Sequence, residues 1–202
     1  MQKIKVLFLD RDGTMIYDEL GDYIRTVEQV RLIPNADVAI ALAKRAGYKI
    51  VIVTNQAAIA KGIVTESRVQ EINNFLQTML AAKQATYDLC YYAPSHPSVP
   101  HPMYDQRKTW RKPDTGMVEE AVKDFAAQGC EVDKAHSFFI GDKQIDIECG
   151  SRAGLRPILV MTGYGEAEEC RKKQTPPEFI AADLYDAVVN YVLAVTPTPN
   201  LA

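Results

Sequence analysis

Asp10 and Asp12 stand in the run Asp10-Arg11-Asp12-Gly13-Thr14, directly behind the apolar stretch Ile4 to Leu9. Two carboxylates so placed at the end of a buried strand can serve as nucleophile and proton carrier, and Gly13 lets the backbone turn sharply beyond them. A solvated turn also carries Asp residues without function, so the pair alone does not decide. Three further signals follow in order: Thr54-Asn55-Gln56 behind a second apolar run, Arg111-Lys112-Pro113, and Gly141-Asp142-Lys143 with Asp146 behind another apolar run. Gathered in one crevice, four carboxylates repel one another, and a divalent cation with oxygen ligands relieves that repulsion. Magnesium suits a site of one or two carboxylates, waters and a substrate phosphate, while a lysine and a hydroxyl complement phosphate oxygens.

Elements must bring these residues together. Short apolar runs recur at 4–9, 48–53, 87–92, 137–140 and 157–161, several rich in β-branched or aromatic residues. Their near-continuous hydrophobicity predicts strands covered on both faces, as in a parallel sheet. Asn35 is placed to cap a helix with Val38, Leu42 and Ala46 on its inner face, and Thr65 to cap a second with Val69, Ile72, Leu76 and Met79 inward. A third runs from about Met117 to Gln128, opened by Arg111-Lys112-Pro113. The alternation predicts an α/β fold: a three-layer, Rossmann-like parallel sheet with helices on both faces, binding ligands at the carboxyl ends of the strands. Two segments interrupt it, a polar 16–34 and a proline-rich 94–113. Both leave strand ends beside the expected site and read as substrate-covering loops, a minimal cap.

The chain of 202 residues suits a single domain over residues 1–195 with a flexible tail at 196–202. A net charge of -3 gives no bias toward nucleic acid or anionic membrane. Cys90, Cys130, Cys149 and Cys170 are scattered without a Cys-x-x-Cys pair, which argues against a disulfide framework or a four-thiolate zinc site. The start of the chain lacks a signal-peptide pattern, and no run reaches the roughly 20 apolar residues of a membrane span. A cytoplasmic monomer with no membrane or nucleic-acid partner is expected. Met79, Met103, Met117 and Met161 are read as packing residues, and His136 as a surface or edge residue.

In sequence order, DRDGT, Thr54, Lys112 and GDKQID resemble the motifs of the haloacid dehalogenase (HAD) superfamily of aspartate-nucleophile phosphohydrolases, over about residues 5–163. Within it, VTNQAAIAKG, RKPDTGM and GDKQID are similar to the branch (subclass III) of heptose bisphosphate and histidinol phosphatases. The resemblance implies Asp10 as nucleophile, Asp12 as general acid/base, Thr54 and Lys112 as phosphoryl stabilisers, and Arg111 and Lys143 as substrate contacts. It places Asp18 and Tyr23 near the sugar and gives magnesium to Asp10, the backbone carbonyl of Asp12, and Asp142. Asn55 and Gln56 are expected to brace their loop or touch substrate, and Asp146 to orient Lys143 or the metal's waters. Asp12, beside another carboxylate, is expected to have a raised proton affinity. The implied reaction is magnesium-dependent hydrolysis of a small phosphorylated metabolite through an aspartyl phosphate, with heptose bisphosphate as first substrate and histidinol phosphate as second.

Members of that branch carry a structural zinc loop. Here its ligand positions read Tyr92-Ala93-Pro94-Ser95-His96-Pro97 and Lys108-Thr109-Trp110, so structural zinc is predicted absent, and proline stiffness with packing of Trp110 and Tyr104 must order the segment. Cys90, His96 and His101 leave a different site open, although Cys90 lies in an apolar run. Two other classes compete. A phospho-receiver-like module shares the residue types but puts its acceptor after a central strand, and a polynucleotide 3'-phosphatase would draw on the basic stretch 107–112.

Overall fold

The computed structural model describes residues 1–18 and 20–195. Its strands are β1 (Gln2–Leu9), β2 (Tyr48–Asn55), β3 (Leu89–Ala93), β4 (Cys130–Val132), β5 (Phe138–Gly141), β6 (Arg156–Val160) and β7 (Phe179–Ala181). They form one parallel sheet in the order β3-β2-β1-β5-β6-β7, with β4 pairing the start of β1. The chain steps outward from β1 to β3, then returns to build β5 on the other side of β1. That reversal opens a crevice at the carboxyl ends of β1 and β5, the place where such sheets take ligands.

The period of two along β1 feeds both faces of the sheet. Leu7 and Leu9 join Ile50, Ile52 and the inner faces of α1 (Ala36–Arg45) and α2 (Glu66–Ala81). Val6 and Phe8 join Val51, Val53 and Phe125 of α3 (Gly116–Ala127). Helices α4 (Gln144–Arg152) and α5 (Ala167–Lys172) follow, and a C-terminal helical run closes over Phe138. The α/β sheet expected from the apolar runs is therefore present, with helices on both sides.

Three local expectations are corrected. Helix α1 turns Ala36, Ala39, Ile40 and Ala43 inward and leaves Val38 exposed, because small alanines let it lie close to its neighbours. Asn35 precedes α1 in a left-handed conformation and its side chain caps nothing, whereas Thr65 Oγ accepts from Arg68 N at 3.1 Å as expected. Helix α3 spans Gly116–Ala127, within one residue of the expected Met117 to Gln128, with Trp110 and Arg111 in the loop before it. Met103 and Met161 are exposed, while Met117 is buried and Met79 packs at the core's edge. Strands β4 and β7 went unpredicted, each being three residues long and too short for a pattern.

Both irregular segments border the crevice. Residues 16–34 are tied by a bridge between Ile16 and Leu32. Residues 94–111 contain two short 3-10 turns over Pro102–Trp110 that meet at a kink at Arg107. Trp110 packs edge-on against Tyr91 at 5.7 Å, and Tyr104 lies against the small cluster of Ala58, Ile59, Val64 and Val69. No helix among the described residues is long and apolar enough to cross a membrane. The expected flexible tail at 196–202 lies outside the described residues.

Candidate active site

Strand β1 delivers Asp10, whose backbone N–H donates to Ile140 O of β5 at 2.9 Å. The chain then folds back, with Met15 N on Arg11 O at 2.9 Å and Gly13 N on Ile16 O at 2.8 Å. Gly13 sits at φ +83°, and a Cβ there would stand 2.6 Å from Asp142 Oδ2. A Cβ on Gly163, after β6, would stand 2.7 Å from Gly13 Cα. Two glycines thus let the loops after β1 and β6 close around Asp142, whose carboxylate has no room for a neighbouring side chain.

A cavity of about 310 Å³ opens at these strand ends. Asp10, Asp12, Asp18, Tyr23, Thr54, Asn55, Gln56, Arg111, Lys112 and Lys143 all border it, so adjacent strands and the two irregular segments gather the residues singled out by sequence. Asp142 is fully buried beside Asp10.

Lys112 is the electrostatic hub. Its Nζ lies 2.7 Å from Asp10 Oδ1, 2.7 Å from Asp146 Oδ1 and 2.8 Å from Val53 O. Burial disfavours the charged amine, but the two carboxylates outweigh it and raise its proton affinity. Asn55 fixes the Lys112 backbone from both sides, accepting from its N–H at 3.0 Å and donating to its carbonyl at 3.2 Å.

Asp10, Asp142 and Asp146 each offer an oxygen within 4.8 Å of the others, the one such grouping found among the described residues. Burial, then Asp10 and Asp146, push the Asp142 carboxyl up to about 8. Burial also raises Asp10, against the pull of Lys112. Asp142 Oδ2 accepts from Tyr164 N at 2.7 Å, while its Oδ1 is buried and meets no protein partner among the described residues. A dry cluster of carboxylates with an unsatisfied oxygen fits a hard divalent cation. Asp146 also accepts from Lys143 N at 3.0 Å.

Asp12 departs from expectation. Burial would raise its proton affinity, yet the Arg11 charge, hydrogen bonds from Arg11 at 3.0 Å to each oxygen, and one from Gln56 at 2.8 Å hold it below the usual carboxylate range. Arg11 is itself buried and anchored on Asn73 Oδ1 at 2.7 Å. Gln56 Nε2 also donates to Thr54 Oγ at 2.9 Å, leaving the threonine proton free for a ligand.

At the mouth, Lys143 reaches Asp18 at 3.4 Å and lies 4.3 Å from the Tyr164 ring centre. Tyr164 OH accepts from Gly21 N at 3.2 Å, and Lys61 donates to Tyr23 OH at 2.7 Å. Arg111 is half-buried and donates to Ser95 O at 3.1 Å. Sequence reasoning missed Asn73, Lys61 and Tyr164, which act across long separations, and the part Arg11 plays between the two acids. Lys61 did lie within VTNQAAIAKG. Cys90 packs against the core, while His136 is partly exposed and pairs with Asp133 at 2.9 Å. The basic stretch 107–112 is no exposed strip, since Lys112 is buried and Arg107 is bonded to Glu66.

The family model for HAD-hydrolase-like proteins matches residues 109–187. The D-glycero-D-manno-heptose-1,7-bisphosphate 7-phosphatase of Chlorobaculum tepidum is 52% identical over 193 residues, 96% of each chain. That of Thermosynechococcus vestitus is 35% identical over 188 residues, 90% of this chain and 92% of its own. Among solved structures, the D,D-heptose 1,7-bisphosphate phosphatase of B. bronchiseptica, complexed with magnesium and phosphate, superposes with a TM-score of 0.80 at 25% identity, covering 95% of this chain and 99% of that one. With the carboxylates, the lysine and the parallel sheet arranged as above, this chain belongs to the HAD-like hydrolases, in the group of these heptose bisphosphate phosphatases.

Proposed function

We propose that the chain is a magnesium-dependent phosphomonoesterase that removes one phosphate from a heptose bisphosphate through an aspartyl phosphate on Asp10. The observation that carries this reading is the buried Asp10 carboxylate, held by Lys112 at 2.7 Å beside Asp142 and Asp146 at the floor of a polar cavity. A carboxylate approaching an anionic phosphate meets Coulomb repulsion, so cationic and donor groups must offset the charge on the equatorial oxygens. Lys112 Nζ and the Thr54 hydroxyl fill that role. Asp10 and Asp142, with Asp146 or the Asp12 carbonyl nearby, would hold magnesium, which when bound supplies further neutralisation of phosphate charge.

Asp10 attacks phosphorus, the bond to the leaving oxygen breaks, and that oxygen takes the proton of a protonated Asp12 carboxyl. Water then attacks the aspartyl phosphate, giving up a proton to Asp12 and restoring Asp10. The Arg11 fork keeps Asp12 ionised and suits it to accept the proton of the attacking water; to serve the first step, the carboxyl must turn from Arg11 toward the cavity and take up a proton there. Lys143 and Arg111 face the leaving-group end, with Asp18 and Tyr23 on the same rim. The heptose substrate rests on the 52% identical relative. No structural zinc is included in this reading.

A phosphate-release panel tests it: heptose 1,7-bisphosphate, histidinol phosphate and 3'-phosphorylated DNA, each with magnesium or with chelator, and a metal count on the purified protein. Rapid, chelator-sensitive release from the heptose bisphosphate alone is expected. Preferential turnover of either competitor overturns the substrate, and release that ignores chelator overturns the metal.

A further inference from the structure

The segment from Pro94 to Arg111 carries a cation into the cavity, yet little backbone pairing holds it in place. One long-range backbone bond ties its start, Ala60 N to Pro94 O at 3.2 Å; the others, Val99 N to His96 O, Tyr104 N to His101 O and Arg111 N to Lys108 O, are short-range. Side chains must supply the anchor. Arg107 sits at the kink between the two 3-10 turns, at φ -109°. Its guanidinium carbon lies 5.8 Å from the Tyr92 ring centre, 5.6 Å from Tyr104 and 5.9 Å from Trp110. The same guanidinium donates to Glu66 Oε1 at 2.5 Å, in the first turn of α2. One planar cation therefore joins the end of β3, the start of α2 and both halves of the segment, the kind of multiple stacking and hydrogen bonding that arginine permits and lysine does not.

Trp110 immediately precedes Arg111. Among the described residues the Arg111 side chain makes one hydrogen bond, to Ser95 O within the same segment, and pairs with no carboxylate. The backbone beyond Arg111 is held through Lys112 by Asn55, so on the other side the direction of the Arg111 side chain is set by the segment that carries it. We propose that Arg107 is a positioning residue: by tying Trp110 and Tyr104 to Tyr92 and Glu66 it aims Arg111 at the leaving-group end of the cavity and so sets affinity for the sugar phosphate. This rests on the phosphatase reading above and deepens it.

Trp110 is the chain's one tryptophan, so its fluorescence reports the anchor without any substrate. In Arg107→Ala the emission should move to the red and acrylamide should quench it more readily, with the far-ultraviolet circular dichroism unchanged. KM for heptose bisphosphate should rise about tenfold or more with kcat nearly constant, the signature of lost uniform binding. Turnover of p-nitrophenyl phosphate, which lacks the sugar, should stay near wild type. Arg107→Lys should recover part of the KM, and Arg107→Ala combined with Arg111→Ala should be no worse than Arg111→Ala alone. Unaltered Trp110 emission, unaltered KM, equal losses on both substrates, or additive double-variant losses overturn the role of Arg107. A wild-type protein that releases no phosphate from heptose bisphosphate instead overturns the substrate reading, and the positioning role with it.

Discussion

Lys112 shares two buried carboxylates with a backbone carbonyl, and each contact has a measurable consequence. Removing the amine leaves Asp10 and Asp146 facing each other in a dry site. Lys112→Ala should therefore cost about 3–5 kcal/mol in denaturant unfolding, the usual penalty for deleting one partner of a buried pair. The same variant should lower kcat by about 10²–10³, as for removal of one preorganised donor to a developing anion. A normal rate would show that Lys112 does not face the phosphoryl group. Asp10→Asn keeps volume and shape, so its melting temperature should stay near or above wild type while phosphate release falls to background; retained turnover would remove Asp10 as nucleophile. Residue identities made the gathering of Asp10 and Lys112 in one crevice legible in advance, but not their direct pairing. The state of Asp12 was not, because adjacency to another acid predicted a raised proton affinity, whereas the guanidinium of its neighbour Arg11 folds back onto it. Sequence adjacency gives no rotamer, and the rotamer decides which charge dominates.

Among the elements, the loop after β1 is tightly constrained. Gly13→Ala would place a methyl group 2.6 Å from Asp142 Oδ2 at φ +83°. Left-handed backbone and overpacking together should lower stability by about 2–5 kcal/mol. Metal-dependent turnover should fall with it, and a fully active, wild-type-stable Gly13→Ala would mean the loop does not close on Asp142 in solution. The strands that carry the site were legible because their apolar runs are continuous on both faces. Strands β4 and β7 were not, being edge additions of three residues whose pairing comes from tertiary contact. The inner face of α1 was misread for a related reason: periodicity offered two apolar stripes, and contact with the sheet selected the alanine one.

At the scale of the whole molecule, the order β2-β1-β5 sets Thr54, Asp10 and Asp142 side by side although they are far apart in sequence. Convergence of acids inside the fold makes stability depend on pH. Asp142 rises from 3.8 to about 8 on folding, so its protonated form favours the folded state. That contribution is complete below about pH 4 and is lost as the pH rises through about 8. Metal-free protein should therefore lose melting temperature across this window. Magnesium takes the ionised form, so the gap between melts with magnesium and with chelator should widen as the pH rises. A gap that stays constant from about pH 5 to about pH 9 would show that Asp142 is not the titrating ligand. The sequence by itself determined the chemistry: the types, order and spacing of the acids, the lysine and the threonine, with the acids and the threonine placed behind apolar runs whose burial is dictated by composition. Only the tertiary structure decided that Asp146 shares Lys112 with Asp10, that Arg11 rather than Asp10 governs Asp12, and that Arg107 and three rings brace a segment with few backbone ties. Those are contacts between surfaces distant along the chain, and local patterns of hydrophobicity cannot encode which of several charged side chains will meet once the strands are packed.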